Sequence, residues 1–215
     1  MPKDLAAQLQ QGLQSLNLSL LNEQQLTLIA FIELLKKWNR VYNLTAVHGL
    51  HQMLQRHILD SLSIGPYLKG VRVVDVGAGA GLPGIPLAIA YPEFQLVLID
   101  SNRKKTRFMQ QAKTELKLDN VEVVCSRAED FHSDELFDSV ISRALSSLSQ
   151  MVCWASHLCA ADGVMLAMKG SYPDAEVSDL AKSFEIKAVH KLNYWGLDAD
   201  RYLVEIQHAK SLNQN

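Results

Sequence analysis

The chain has 215 residues, a length that suits one domain with a modest extension. Its residues are 48% hydrophobic and 20% charged, which supplies one core and excludes a disordered or low-complexity chain. A net charge of −2 excludes a uniformly basic nucleic-acid binder, and no apolar run approaches the roughly 18–20 residues of a membrane span. The beginning, MPKDLAAQLQQ, lacks the apolar stretch of a signal peptide, so a cytoplasmic protein without membrane contact is expected. The three cysteines, Cys125, Cys153 and Cys159, form no C-x-x-C pair. They are read as buried free thiols, with Cys125 in a strand and the other two in a helical segment, rather than as a disulfide or zinc framework.

The first 66 residues are expected to be helical. Leu5, Leu9, Leu13 and Leu16 form one apolar stripe. Asn22 is read as the N-cap of a helix through about Trp38, with Leu26, Ile29, Ala30, Leu34 and Trp38 near helical spacing. A polar segment from Asn39 to Gly49 interrupts, and a further helix is expected from about His51 to Leu62, before Gly65-Pro66. These stripes need a partner to bury them. Residues 1–66 are therefore read as a helical extension packed on a domain that spans 67–215. His57 and Asp60 share a helix face and are read as a polar anchor between the extension and the glycine loop that follows. His48 and His51 lack a third ligand, so no metal is expected. Trp38 and Tyr42 are read as packing residues.

From Val71 onward strands and helices alternate. Strands are expected at 71–76, 95–100, 121–125, 137–142, 163–168, 186–192 and 202–208. Helices are expected at 84–90, 102–118, about 147–160 and about 174–183. Such alternation predicts an α/β fold, a mostly parallel seven-stranded sheet with helices on both faces. The last two strands are separated only by Asn193 to Arg201, which predicts an antiparallel pair at the sheet edge.

The segment VRVVDVGAGAGLPG, Val71 to Gly84, carries the most information. A β-branched run leads to Asp75, and glycines follow at Gly77, Gly79 and Gly81. A strand ends there in a tight turn that opens a helix, with bare backbone against which a nucleotide-like ligand can lie. A dinucleotide fingerprint can be read at Gly79, Gly81 and Gly84, but Pro83 sits where the pyrophosphate turn should pass into helix. The parse acid-x-Gly-x-Gly-x-Gly fits better and resembles motif I of the class I S-adenosylmethionine methyltransferases. The next strand ends at Asp100, an acid placed to accept both hydroxyls of a ribose. Directly after it, Arg103, Lys104, Lys105, Arg107, Lys113 and Lys117 face Glu115 alone, and their closeness to the cofactor mouth favours phosphate contact over a merely solvated face.

A closer resemblance rests on several pieces in order. They are Lys37-Trp38-Asn39, Tyr42-Asn43-Leu44-Thr45, Arg56-His57-Ile58-Leu59-Asp60-Ser61, the loop from Asp75 to Pro86, Ile141-Ser142-Arg143-Ala144 and Lys169-Gly170. From about Leu20 to Gln207 the chain resembles the glucose-inhibited division protein B family, the bacterial 16S rRNA (guanine-N7) methyltransferases. The resemblance implies a Rossmann-like class I methyltransferase fold with an antiparallel last strand. It implies S-adenosyl-L-methionine as cofactor and methyl transfer to guanine N7 in the 530 loop. The partner would be 16S rRNA or the 30S particle, and nothing demands more than a monomer. A methyltransferase for a small molecule or a protein is the alternative.

The implied chemistry agrees with what the sequence lacks. Guanine N7 carries an in-plane lone pair and no proton, so alignment suffices and no strong base is needed. Enzymes acting on exocyclic amines typically present Asn/Asp-Pro-Pro-aromatic after the fourth strand; Ser142-Arg143-Ala144-Leu145 stands here instead, without a cysteine nucleophile. Gly77, Gly79, Gly81, Leu82, Asp100, Ala128, Glu129 and Arg143 are the expected cofactor residues. Arg143 and Lys169, at strand ends, are the expected catalytic residues. Arg103, Lys104, Lys105, Arg107 and Arg127 are the expected RNA contacts. Asp75 is read either as a cap for its loop or as a cofactor neighbour.

Overall fold

A computed structural model describes residues 3–143, 147–177, 180 and 182–209. Helix α1 (Lys3–Ser15) buries Leu5, Leu9 and Leu13 completely or nearly so. A helix this short is marginal alone, and burial of about 1.5–3 kcal/mol per leucine is what holds it to the core. Helix α2 (Asn22–Tyr42) has its cap one residue earlier than expected: Leu21 takes the N-cap position, and Asn22 is already helical. Gln24 supplies the missing side-chain cap. Its Oε1 accepts from the Leu21 N–H at 2.8 Å, and its Nε2 donates to the carbonyls of Ile89 and Ala90. Helix α2 ends at Asn43, whose left-handed φ of 49° suits a short polar side chain. Trp38 stacks on Tyr42 at 5.2 Å and meets Phe108 edge-on at 5.6 Å, so both aromatics serve packing. The helix expected from His51 is three joined pieces, α3 (Leu50–Met53), a π-helical turn (Leu54–Leu59) and α4 (Asp60–Leu62).

The α/β part follows with β1 (Arg72–Val76), α5 (Gly84–Ala90), β2 (Gln95–Ile99), α6 (Arg103–Leu116), β3 (Val121–Val124) and β4 (Phe137–Arg143). It continues with α7 (Leu148–Ala155), β5 (Cys159–Lys169), α8 (Asp174–Val177), β6 (Phe184–Lys191) and β7 (Tyr202–His208). The seven strands lie in the order β3-β2-β1-β4-β5-β7-β6, and β7 alone runs against the others. The antiparallel edge pair is as expected, with β7 inserted between β5 and β6. Apolar residues cover both faces. One cluster joins the N-terminal leucines to Ile85 and Phe108, and the other joins Val74 and Val76 to Leu148 and Met151.

Two expectations need correction. Strand β5 begins at Cys159, where a helix was expected to run to about 160, because Cys159 pairs with Phe137 across a bulge. The stretch Cys-Ala-Ala-Asp has no β-branched residue, so local propensity pointed away from a strand that tertiary pairing imposes. The cysteines are not all buried either. Only Cys159 is, with its thiol pushed up to about 12 by burial, whereas Cys125 and Cys153 are exposed. The helix expected over 174–183 is present only at Asp174–Val177: residues 180, 182 and 183 are bend and turn, and residues 178, 179 and 181 lie outside the described residues.

Strand β1 has β2 on one side and β4 on the other, so successive crossovers leave it in opposite directions. A crevice opens at such a switch point, beyond the carboxyl ends of the strands. The register places the Gly loop after β1, Asp100 after β2 and Arg143 at the end of β4 along this one edge.

Candidate active site

Beyond β1 the backbone doubles back. The N–H groups of Gly77 and Ala78 both donate to the Ile99 carbonyl, at 2.9 and 3.0 Å. Gly77, Gly79 and Gly81 have φ of 71°, 60° and 76°, a region that only glycine enters freely. A Cβ on Gly79 would find no atom nearer than 3.9 Å, so this position faces open cleft. Asp100 is nearly buried and shapes the loop. Its Oδ2 accepts from the Gly79 N–H at 2.9 Å, and its Oδ1 accepts from the Asn102 N–H at 2.8 Å. A carboxylate has about four lone-pair positions, so acceptor capacity remains for ribose hydroxyls.

Asp75 caps α5: its Oδ2 accepts from the Gly84 N–H at 2.8 Å. Its Oδ1 is buried without a partner among the described residues, an orphan oxygen that a further donor would satisfy. Burial raises the Asp75 carboxyl to about 7 against the opposing pull of the Gly84 N–H and Arg143. The folded chain therefore holds this proton above the unfolded value of about 3.9, and stability falls as pH rises through the window up to about 7. Asp75→Asn keeps an acceptor for Gly84 and removes the titration. Denaturant unfolding at about pH 5 and about pH 7.5 should show a smaller pH effect in the variant; equal effects in both proteins would clear Asp75 of the role. The closeness of Gly84 is also testable. A Cβ there would lie 2.1 Å from Leu98 Cδ2 and 3.0 Å from Asp75 Oδ2. Gly84→Ala should cost about 1–3 kcal/mol in denaturant unfolding, and a variant as stable as the parent would refute the packing.

A cleft of about 360 Å³ lies along this loop. Gly77 and Asp100 line it on one side, Ala128 and Glu129 on another, with Trp154 as part of the wall. These four expected cofactor residues are thus brought together, and Gly79 joins them through Asp100. Gly81 and Leu82 lie behind the loop: a Cβ on Gly81 would strike Ile85 at 2.4 Å, and Leu82 is buried. Lys105 turns toward the cleft, its Nζ 3.6 Å from Asp100 Oδ2. Arg103, Lys104 and Arg107 are exposed on α6. Arg127 is exposed too and sits 3.8 Å from Glu129, a separation at which a surface pair contributes little.

Arg143 lines a second cleft of about 380 Å³ with Lys169, Arg201, Arg56 and His57. Lys169 Nζ is paired with Glu176 at 2.8 Å, and Glu176 also accepts the Leu148 N–H, tying β5 to α7. Arg143 Nη1 donates to the Arg56 carbonyl at 3.2 Å and to Asp60 Oδ2 at 3.3 Å. The anchor expected of Asp60 therefore exists, but it reaches the ends of β4 and β7 rather than the Gly loop. His57 Nδ1 lies 2.9 Å from the Arg56 carbonyl and Nε2 lies 2.9 Å from Thr45 Oγ1. Burial and the nearby Arg143 charge lower the imidazole to about 4, so it is neutral at pH 7 and places Thr45 against Arg56. Asn39 closes the same loop, accepting from the Thr45 N–H at 2.8 Å and donating to the Thr45 and Val47 carbonyls. Asn39, Glu176 and Tyr194, whose hydroxyl donates to Asp60 Oδ1 at 3.0 Å, were not foreseen. A larger cleft, about 560 Å³, sits at the opposite ends of β1–β3 near Arg72, Gln95 and Asn120; of the basic run after Asp100 it takes in Lys113, and it holds none of the expected cofactor or catalytic residues.

The strand order and the glycine loop define a class I S-adenosylmethionine methyltransferase. Solved structures agree on the fold: the glycopeptide N-methyltransferase MtfA, solved with (S)-adenosyl-L-methionine, superposes with a TM-score of 0.62 at 12% identity over 71% of this chain and 87% of that one. The precorrin-6y C5,15-methyltransferase of Geobacter metallireducens gives 0.52 at 13% identity over 70% and 88%. Within that class the chain belongs to the GidB family, rRNA small subunit methyltransferase G, whose model matches residues 24–204. Proteins named ribosomal RNA small subunit methyltransferase G are 50% identical in Marinobacter nauticus, over 94% of this chain and 95% of the relative. The one from Escherichia coli strain SMS-3-5 is 47% identical over 92% and 96%.

Proposed function

We propose that this chain transfers the methyl group of S-adenosyl-L-methionine to N7 of a guanine in the 530 loop of 16S rRNA, presented as rRNA or as the 30S particle. Residues 67–215 act as the cofactor-binding domain and residues 1–66 as a helical extension that completes the site. The observation that carries the reading is a pair of clefts at the carboxyl ends of the strands, one lined by Gly77, Asp100, Ala128 and Glu129, the other by Arg143, Lys169 and Arg201. The cofactor supplies an electrophilic methyl on a sulfonium.

The residues fit that group. Asp100 offers ribose acceptors, Gly79 leaves its side-chain space open, and Asp75 keeps one oxygen for a further donor. The described residues of the second cleft offer no free base: His57 is hydrogen-bonded at both ring nitrogens and neutral, and Asp60 is consumed by its cationic partners. That suits an acceptor with a lone pair and no proton, for which alignment is the main requirement. Arg143 orients the base or a neighbouring phosphate, and Lys169 steadies the strand end through Glu176. Arg103, Lys104, Arg107 and Arg127 offer exposed charge to RNA, with Lys105 closer to the cofactor.

The test is tritiated methyl transfer to 30S particles lacking 7-methylguanosine, followed by nucleoside analysis. Labelled 7-methylguanosine is expected. Label in another nucleoside would reject the N7 assignment, and no label in RNA would reject the substrate.

A further inference from the structure

We propose that Asp60 is a positioning residue that gathers Arg143 and Arg201 into a two-arginine receptor for an RNA backbone phosphate beside the target base. The inference rests on the RNA-methyltransferase reading above. Its root is the burial of Asp60, whose side chain is 3% exposed. An ionised carboxylate taken out of water costs several kcal/mol unless donors replace the lost solvent. Here its two oxygens are divided among three donors. Oδ2 lies 3.3 Å from Arg143 Nη1; Oδ1 lies 3.3 Å from Arg201 Nε and accepts from the Tyr194 hydroxyl at 3.0 Å. Arg143 ends β4 and Arg201 precedes β7, two strands that β5 separates. Neighbouring strands are about 4.8 Å apart, so a shared anion is what draws the two guanidinium groups to one point.

The charges at that point do not cancel. Arg56 is paired with Asp198 and Lys169 with Glu176, while Arg143 and Arg201 share the single carboxylate of Asp60. One positive charge is left over at the cleft, where both arginine side chains keep 23% exposure. Each guanidinium has five N–H donors in a planar fork. Among the described residues Arg143 is engaged through Nη1 only, and Arg201 through Nε and Nη1. The remaining N–H groups suit the paired oxygens of a phosphodiester, which a planar fork matches better than an ammonium does. Guanine itself is neutral and would not balance the surplus charge.

The decisive experiment measures binding of 30S particles to the full chain at several salt concentrations by filter retention. It compares the parent, Asp60→Asn, Arg201→Ala and the double variant, with calorimetric titration of S-adenosylmethionine as a parallel arm. Arg201→Ala should weaken RNA binding about tenfold and flatten the log–log salt dependence by about 0.7–0.9, the signature of one lost phosphate contact. Asp60→Asn should do the same, and the double variant should be little worse than either alone, because both changes dismantle one receptor. Cofactor affinity should stay within about twofold. An unchanged salt slope in Arg201→Ala, additive losses in the double variant, or a loss confined to cofactor binding would each overturn the proposal. If Asp60→Asn does not fold, the salt slope of Arg201→Ala decides alone. Failure of the parent to methylate rRNA would strike the reading underneath, and it is scored in a separate assay.

Discussion

Arg143→Ala is expected to lower kcat/KM for methyl transfer by about 100-fold or more while the protein stays folded. The size follows from the chemistry: with no base to lose, the rate depends on alignment, and a displacement of about 1 Å can cost 100-fold. The guanidinium lines the second cleft, held by the Arg56 carbonyl and Asp60. The fold should survive because Asp60 keeps Arg201 and the Tyr194 hydroxyl, so no buried charge is stranded. Arg143→Lys retains charge but loses the planar fork, and should fall between alanine and the parent. Tritiated methyl transfer beside a thermal melt separates the two effects. Full turnover in the alanine variant would remove Arg143 from the site; a collapsed melt would assign it to the fold.

The second large effect is expected at Asp100. Asp100→Ala removes the oxygens proposed to accept from the ribose and also releases the N–H groups of Gly79 and Asn102, which hold the loop and the start of α6. Hydrogen bonds to a charged group are worth about 1.5–3 kcal/mol each, so cofactor affinity should fall on the order of 100-fold. Asp100→Asn keeps one acceptor oxygen and should lose about tenfold. Calorimetric titration with S-adenosylmethionine reads both. Parent-like affinity in Asp100→Ala would mean that the cofactor does not lie against this acid. Lys105, 3.6 Å from the carboxylate, would be left without its partner, which makes Lys105→Ala a useful companion with a much smaller expected change.

The glycine loop was legible because its need is local: positive φ at Gly77, Gly79 and Gly81 and a strand before them are readable from residue type and spacing. Asp100 was legible for the same reason, one strand later. Exposure of Cys125 and Cys153 was not legible, because an apolar neighbourhood in sequence does not say which side of an element meets solvent. Lys169 shows the same limit. Its place at a strand end could be read, but its pairing with Glu176 depends on how α8 folds back over β5 and α7.

By itself the sequence determined the alternating α/β pattern, the glycine loop, the acid that follows it and the family resemblance. All of these depend on short-range geometry or on residue identity. The tertiary structure alone decided that Asp60 of the N-terminal helices meets Arg143 and Arg201. Asp60 is separated from Arg143 and Arg201 by long stretches of chain, and only the packing of the extension against the sheet brings its carboxylate to both. It also decided the division into two clefts. Arg143 lines the second cleft, while Gly77, Asp100, Ala128 and Glu129 line the first. The physical reason is the same in each case. A buried charge must find its partners wherever the fold can supply them, and that supply is set by strand order and helix packing, which no local spacing records.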